Sequence, residues 1–172
     1  MASSPNFLLY GANGYTGELI AEEAVRQGLR PILAGRREEA VRPIAERLGL
    51  ERRIFALTSP EEIARQLDGV AAVLLAAGPF STTSAPVAEA CLRARKHYLD
   101  LTGEIEVFEA IFLRGPEARE RGCVFLPGAG FDVVPSDCLA ASLQRALPGG
   151  VRLELAFAGE SRFSKGTAMT ML

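Results

Sequence analysis

Three glycines at three-residue spacing open the chemistry of this chain, in Gly11-Ala12-Asn13-Gly14-Tyr15-Thr16-Gly17. They follow the apolar run Phe7-Leu8-Leu9-Tyr10 and precede Leu19, Ile20, Ala24 and Val25, which recur at helical spacing up to Gly28. A strand, a glycine turn and a helix in that order form a cradle for phosphate. The first glycine turns the chain sharply, the second lets backbone approach a pyrophosphate, and the third lets the helix pack closely on the strand. The helix start then offers free N–H groups and a partial positive charge to an anion, with the Thr16 hydroxyl beside them. A glycine-rich connector would show the same spacing. Its place at the head of an alternating chain favours nucleotide binding. No Gly-Lys-Ser/Thr follows, so the turn is not a P-loop.

Two further segments bear on which nucleotide. The second apolar run ends Leu33-Ala34-Gly35-Arg36-Arg37, where an NAD-preferring protein places an acid for the ribose 2′-hydroxyl. Guanidinium groups suit a 2′-phosphate instead, so Arg36 and Arg37 favour NADP over NAD, with two solvated surface arginines as the plainer alternative. The fourth apolar run ends Ala76-Ala77-Gly78-Pro79-Phe80. Small residues there leave room for a cofactor and make Ala77, Gly78, Pro79 and Phe80 candidates, although a tight Gly-Pro turn explains them equally.

Hydride transfer to a carbonyl, imine or enoyl acceptor also needs a proton source. Asp100 and Asp132 follow apolar strand segments, where partial burial raises a carboxyl pKa, and are the catalytic candidates. Asp132 reads equally well as a turn aspartate bonding backbone amides. Asp137 and Glu104 read as residues at helix starts, Glu104 for the helix beginning at Ile105. His97, the single histidine, and Lys165 read as surface side chains. No Tyr-x-x-x-Lys pair is present, which sets aside a short-chain reductase.

The elements that must position these residues alternate along the chain. Strands are expected at Phe7–Tyr10, Pro31–Ala34, Ile54–Leu57, Val70–Ala77, His97–Leu101 and Cys123–Leu126. Helices are expected after the glycine turn, through Val41–Leu48, from a Ser59 N-cap with Pro60 behind it, over Pro86–Arg95, Ile105–Arg121 and Pro135–Leu147. Short apolar strands alternating with helices predict an α/β fold, a Rossmann-like doubly wound parallel sheet. Past Pro148-Gly149-Gly150 the rhythm changes. Val151–Phe157 alternates apolar and polar like an antiparallel strand, and Ser164–Leu172 resembles a helix start. The expected organisation is a nucleotide-binding unit over 1–150 and the beginning of an incomplete second domain over 151–172.

The 172 residues carry 19 basic and 21 acidic side chains, a net charge of -2, and no apolar run of the roughly 18 residues that spans a bilayer. That balance argues against a nucleic-acid partner. Cys91, Cys123 and Cys138 have no metal-ligand spacing and each lies in an apolar stretch, so they read as buried reduced thiols in a cytoplasmic protein.

The chain resembles the saccharopine dehydrogenase-like NAD(P)-binding family, including its trans-acting enoyl reductases. The resemblance rests on Tyr10–Gly17, Leu33–Arg36, Gly78-Pro79-Phe80, His97-Tyr98-Leu99-Asp100-Leu101-Thr102-Gly103-Glu104, and Pro127-Gly128-Ala129-Gly130-Phe131-Asp132-Val133-Val134-Pro135-Ser136-Asp137. Together these extend over nearly all of residues 6–147. It implies an NAD(P)-binding N-terminal domain followed by a substrate and dimerisation domain. Saccharopine-forming relatives carry a glutamate shortly before the segment that Gly130-Phe131-Asp132 resembles, where this chain has Gly128 and Ala129.

The expected function is therefore an NADP-dependent oxidoreductase module acting on a small-molecule or lipid-linked acceptor, in a homo-oligomer. Without walls from a second domain, this chain is expected to bind cofactor and turn over poorly. A non-catalytic nucleotide sensor or scaffold is the alternative.

Overall fold

Continuous apolar runs of four residues require cover on both faces, and the chain supplies it with helices. The computed structural model describes residues 6–156. Its strands β1 (Phe7–Tyr10), β2 (Ile32–Gly35), β3 (Arg52–Ile54), β4 (Ala72–Leu75), β5 (His97–Asp100) and β6 (Phe125–Leu126) form one parallel sheet in the order β3-β2-β1-β4-β5-β6. Between and after them lie α1 (Tyr15–Arg26), α2 (Glu38–Leu48), α3 (Pro60–Gln66), α4 (Phe80–Ala94), α5 (Ile105–Leu113), α6 (Gly115–Glu120) and α7 (Val134–Ala146). This is the doubly wound Rossmann-like arrangement expected from the alternation.

Leu9 and Leu33 face one layer, packed with Ala21 of α1 and Val41, Ile44 and Ala45 of α2. Their neighbours Leu8, Tyr10, Ile32 and Ala34 face the other, with Ile63 of α3, Val87, Ala88 and Cys91 of α4, and Val107 and Ile111 of α5. Burying each large apolar side chain contributes about 1.5–3 kcal/mol, which fixes the register of the inner strands. The order reverses direction between β1 and β4, leaving a crevice at their carboxyl ends.

Several local expectations needed correction. The third strand is Arg52–Ile54, not Ile54–Leu57. An edge strand tolerates charge, and Arg52 pairs outward with Glu38 while Arg53 pairs with Glu51. Phe55 and Leu57 instead pack on the core beyond the ladder. Helix α4 begins at Phe80 and carries Pro86 inside it. The segment Ile105–Arg121 is two helices, because Gly115-Pro116 restarts the chain after Arg114. Residues 151–156 form no strand and are exposed. Cys138 is exposed rather than buried, whereas Cys91 and Cys123 are buried as free thiols. Phe157, Lys165 and the expected helix start at Ser164–Leu172 lie outside the described residues.

The Ser59 cap follows its sequence signature, its hydroxyl accepting from the Glu62 N–H with Pro60 at the first position. None of α7 is buried, and its Leu139 and Leu143 are exposed, as is Leu147 just past its end. Among the described residues no helix is long and apolar enough to cross a membrane.

Candidate functional site

The site is built where β1, β2 and β4 end side by side. At the end of β1 the chain turns through Gly11, whose φ of +89° only glycine adopts without strain. The N–H groups of Gly11 and Ala12 both donate to the Ala34 carbonyl, tying the turn to the end of β2. Gly14 donates to the Gly11 carbonyl and closes the loop. A Cβ on Gly17 would overlap the Gly11 carbonyl oxygen and stand 2.9 Å from the Ala12 Cα, so the third glycine is what allows α1 to start this close to β1. The Asn13 carboxamide oxygen lies where a Cβ on Gly35 would reach, 3.0 Å away, so Gly35 admits it.

The start of α1 is open. No side chain caps it, and the N–H groups of Asn13, Tyr15, Thr16 and Gly17 find no acceptor among the described residues. Such groups, aimed together with the helix dipole, are what a pyrophosphate needs. Asn13, Tyr15 and Thr16 are exposed around them, while Gly11, Ala12 and Gly17 are buried.

The β4 end completes the cradle. Ala76 N–H donates to the Tyr10 carbonyl, and a Cβ on Gly11 would stand 2.9 Å from both the Ala76 carbonyl carbon and the Ala77 nitrogen. The two turns therefore touch at the switch point, and the small residues at 76–78 are there because backbone passes against backbone. Gly78 is exposed, its peptide bond to Pro79 is cis, and Phe80 opens α4.

Arg36 and Arg37 lie exposed just past β2. Arg37 has Glu39 at 3.9 Å, but Arg36 makes no ion pair among the described residues. Arg36 is near enough to Tyr10 to act on it. Burial pushes the Tyr10 hydroxyl up to about 12, and the Arg36 guanidinium offsets part of that rise. The same hydroxyl donates to the Phe55 carbonyl at 2.9 Å, and the two rings pack with centroids 5.1 Å apart.

The two catalytic candidates separate. Asp100 is fully buried, and its oxygens accept from the Tyr98 hydroxyl (2.6 Å), Thr102 N–H (3.0 Å) and Gly128 N–H (2.8 Å). Its own carbonyl accepts from Ala129 N–H. Asp100 is thus corrected from acid to clasp: it ties the β5 turn to the turn after β6 and presents no surface to a substrate. Burial, then the adjoining Asp100 carboxylate, pushes the Tyr98 hydroxyl far up, so it remains a donor to that carboxylate. Gly128, at φ +70°, admits the Phe108 ring where a Cβ would stand. Asp132 is exposed in the turn before α7, and its carboxylate makes no hydrogen bond among the described residues, so the amide-bonding turn role is not adopted.

Glu104 holds a role that its local sequence conceals. Its carboxylate accepts from the N–H groups of Phe80 and Ser81, both at 2.8 Å, and so caps α4 rather than α5. The only hint in the sequence was its membership of the 97–104 motif, since the partners stand 24 and 23 residues earlier. His97 accepts from the Val124 N–H through Nδ1, a structural contact at the sheet edge.

This geometry has counterparts. Residues 11–98 match the NAD(P)H-binding family. The chain belongs to that family. A trans-acting enoyl reductase of Mycobacterium tuberculosis is 32% identical over 148 residues, covering 81% of this chain and 35% of the relative. The saccharopine dehydrogenase (L-Glu forming) of Saccharomyces cerevisiae superposes with a TM-score of 0.73 at 15% identity, over 84% of this chain and 32% of that one. The triphenylmethane reductase of Citrobacter sp., complexed with NADP(H), superposes at a TM-score of 0.54 and 20% identity, over 69% and 48% of the two chains. The resemblance to the saccharopine dehydrogenase-like family and its enoyl reductases is borne out. The chain spans little more than a third of the length of the curated relatives it matches.

Proposed function

We propose that this chain is the NADP(H)-binding unit of an oxidoreductase whose acceptor is a small or lipid-linked molecule. The observation that carries the reading is the uncapped start of α1, preceded by a glycine turn whose Gly11 abuts the 76–77 turn at the point where the strand order reverses. Gly11 to Gly17 would hold the pyrophosphate, the Thr16 hydroxyl adding a donor, and residues 77–80 would line the adjoining half of the dinucleotide. Arg36, exposed and without an ion pair among the described residues, would take the 2′-phosphate, with Arg37 beside it. The bound cofactor would supply hydride. The chain's own task is to orient it and to provide a proton. Asp132 is the candidate for that second task, because Asp100 spends its oxygens on internal donors. The enoyl reductase names of the relatives fit an acceptor bearing a polarised double bond.

We further propose that residues 1–150 are the nucleotide unit and that the acceptor pocket needs walls beyond it. The exposed apolar side chains of α7 support that division. This chain alone would then bind cofactor with little turnover.

Titration with NADPH and NADH, for the parent chain and Arg36→Ala, tests the central claim. NADPH should bind more tightly. Arg36→Ala should weaken it about 10- to 100-fold, the worth of one charge-assisted phosphate contact, while leaving NADH unchanged. Tighter NADH binding, or an Arg36→Ala variant that holds NADPH as before, would overturn NADP preference.

A further inference from the structure

Two helix N-termini point at the same crevice, and they are treated differently. The start of α1 is open. The start of α4 is filled by the Glu104 carboxylate, which accepts from Phe80 and Ser81 N–H groups at 2.8 Å each. An internal carboxylate at a helix start occupies the place of an external anion, satisfying the same N–H groups and the same dipole. Glu104 is itself held. Its N–H donates to the Thr102 hydroxyl, and Thr102 N–H donates to the buried Asp100 carboxylate. The turn that Glu104 grips is fastened from its other side as well, since the Thr83 hydroxyl donates to the Ala77 carbonyl at 2.7 Å. That turn is the one whose Ala76 and Ala77 abut Gly11.

We propose that Glu104 is a positioning residue for the nicotinamide half of the dinucleotide. It pins the 77–81 turn against the glycine turn and keeps the second helix start from competing for the phosphates. The inference rests on the cofactor reading above. Glu104 is not a catalytic residue in this account, since it acts through the backbone of Phe80 and Ser81. Phosphate is directed to α1 because α4 already holds an anion, so loosening Glu104 disturbs the far half of the cofactor and spares the adenosine half.

The experiment compares NADPH with 2′,5′-ADP, which carries the adenosine half and its 2′-phosphate but no nicotinamide. Both are titrated calorimetrically into the parent chain, Glu104→Gln and Glu104→Ala, and the fluorescence of bound NADPH is recorded. Glu104→Gln keeps the shape but faces one N–H with an amide donor, so NADPH should weaken about five- to tenfold with altered emission. Its 2′,5′-ADP affinity should stay within about twofold, and Glu104→Ala should show the same split more strongly. Equal losses for both ligands, no loss for either, or a Glu104→Gln chain that does not fold would overturn the inference, the last by making Glu104 a stability residue only. Failure of the parent chain to bind either ligand would instead sink the cofactor reading, and this inference with it.

Discussion

Replacing Gly17 by alanine puts the packing of the glycine turn to a direct test. The added methyl would overlap the Gly11 carbonyl oxygen and lie 2.9 Å from both the Ala12 Cα and the Gly11 carbonyl carbon, where ordinary contact begins at 3.4 Å. All three obstacles are backbone, so no side chain can swing away. The start of α1 must retreat from β1 by about 1 Å, an overpacking strain of about 2–3 kcal/mol, the upper end of the usual range. Alanine in place of glycine in a helix returns up to about 1 kcal/mol, leaving a net loss near 1–3 kcal/mol. For a domain of this size that lowers Tm by roughly 3–10 °C. The same retreat displaces the free N–H groups at the head of α1, so NADPH affinity should fall at least about tenfold. Gly149→Ala, remote from the turn and not followed by proline, is the control. A Cβ there meets nothing within 4 Å and the backbone is not left-handed, so it should be neutral or stabilising by up to about 1 kcal/mol. Calorimetric melting and NADPH titration of both variants decide the matter. A Gly17→Ala chain with parental Tm and parental NADPH affinity would refute the steric account, and equal losses from Gly149→Ala would show that the effect is not local.

Two further outcomes follow from buried hydroxyls and carboxylates. Asp100→Ala leaves the Tyr98 hydroxyl and the Thr102 and Gly128 N–H groups without an acceptor and should cost about 3 kcal/mol or more in urea unfolding, whereas Asp100→Asn keeps one oxygen and should cost less; equal stabilities for Asp100→Ala and the parent would remove the clasp role. Burial of Tyr10 gives a stability contribution that is complete below the unfolded value of 10.0 and is lost as pH rises to the folded value of about 12, because the unfolded chain releases the proton first. The unfolding free energy from urea titrations across that window should fall by up to about 3 kcal/mol in the parent and by less in Tyr10→Phe; identical slopes would contradict the assignment.

The local sequence determined the alternation of strands and helices, because a four-residue apolar run such as Phe7–Tyr10 and a 3.6-residue period such as Leu19 to Val25 each have one stable burial solution. It also determined the glycine turn, since a left-handed Gly11 and a methyl-free Gly17 are backbone requirements readable from residue type, and the Ser59 cap, whose hydroxyl and target N–H are three residues apart. The break at Gly115-Pro116 was equally legible in the sequence and was outweighed by the amphipathic pattern running through it.

Other features depended on partners distant in sequence. At the start of α4 the Phe80 and Ser81 N–H groups donate to Glu104, 24 and 23 residues downstream, so the helical period from Pro86 places that start six residues late. Asp100 and Asp132 look alike in sequence, each a carboxyl following an apolar strand. Tyr98 and Thr102, each two residues from Asp100, supply two of its donors, but the third, the Gly128 N–H, comes from the turn after β6, while Asp132 stays exposed. Residue type states what a side chain can bond. Which donors reach it, and whether water does, is decided by the packing of segments that never meet along the chain.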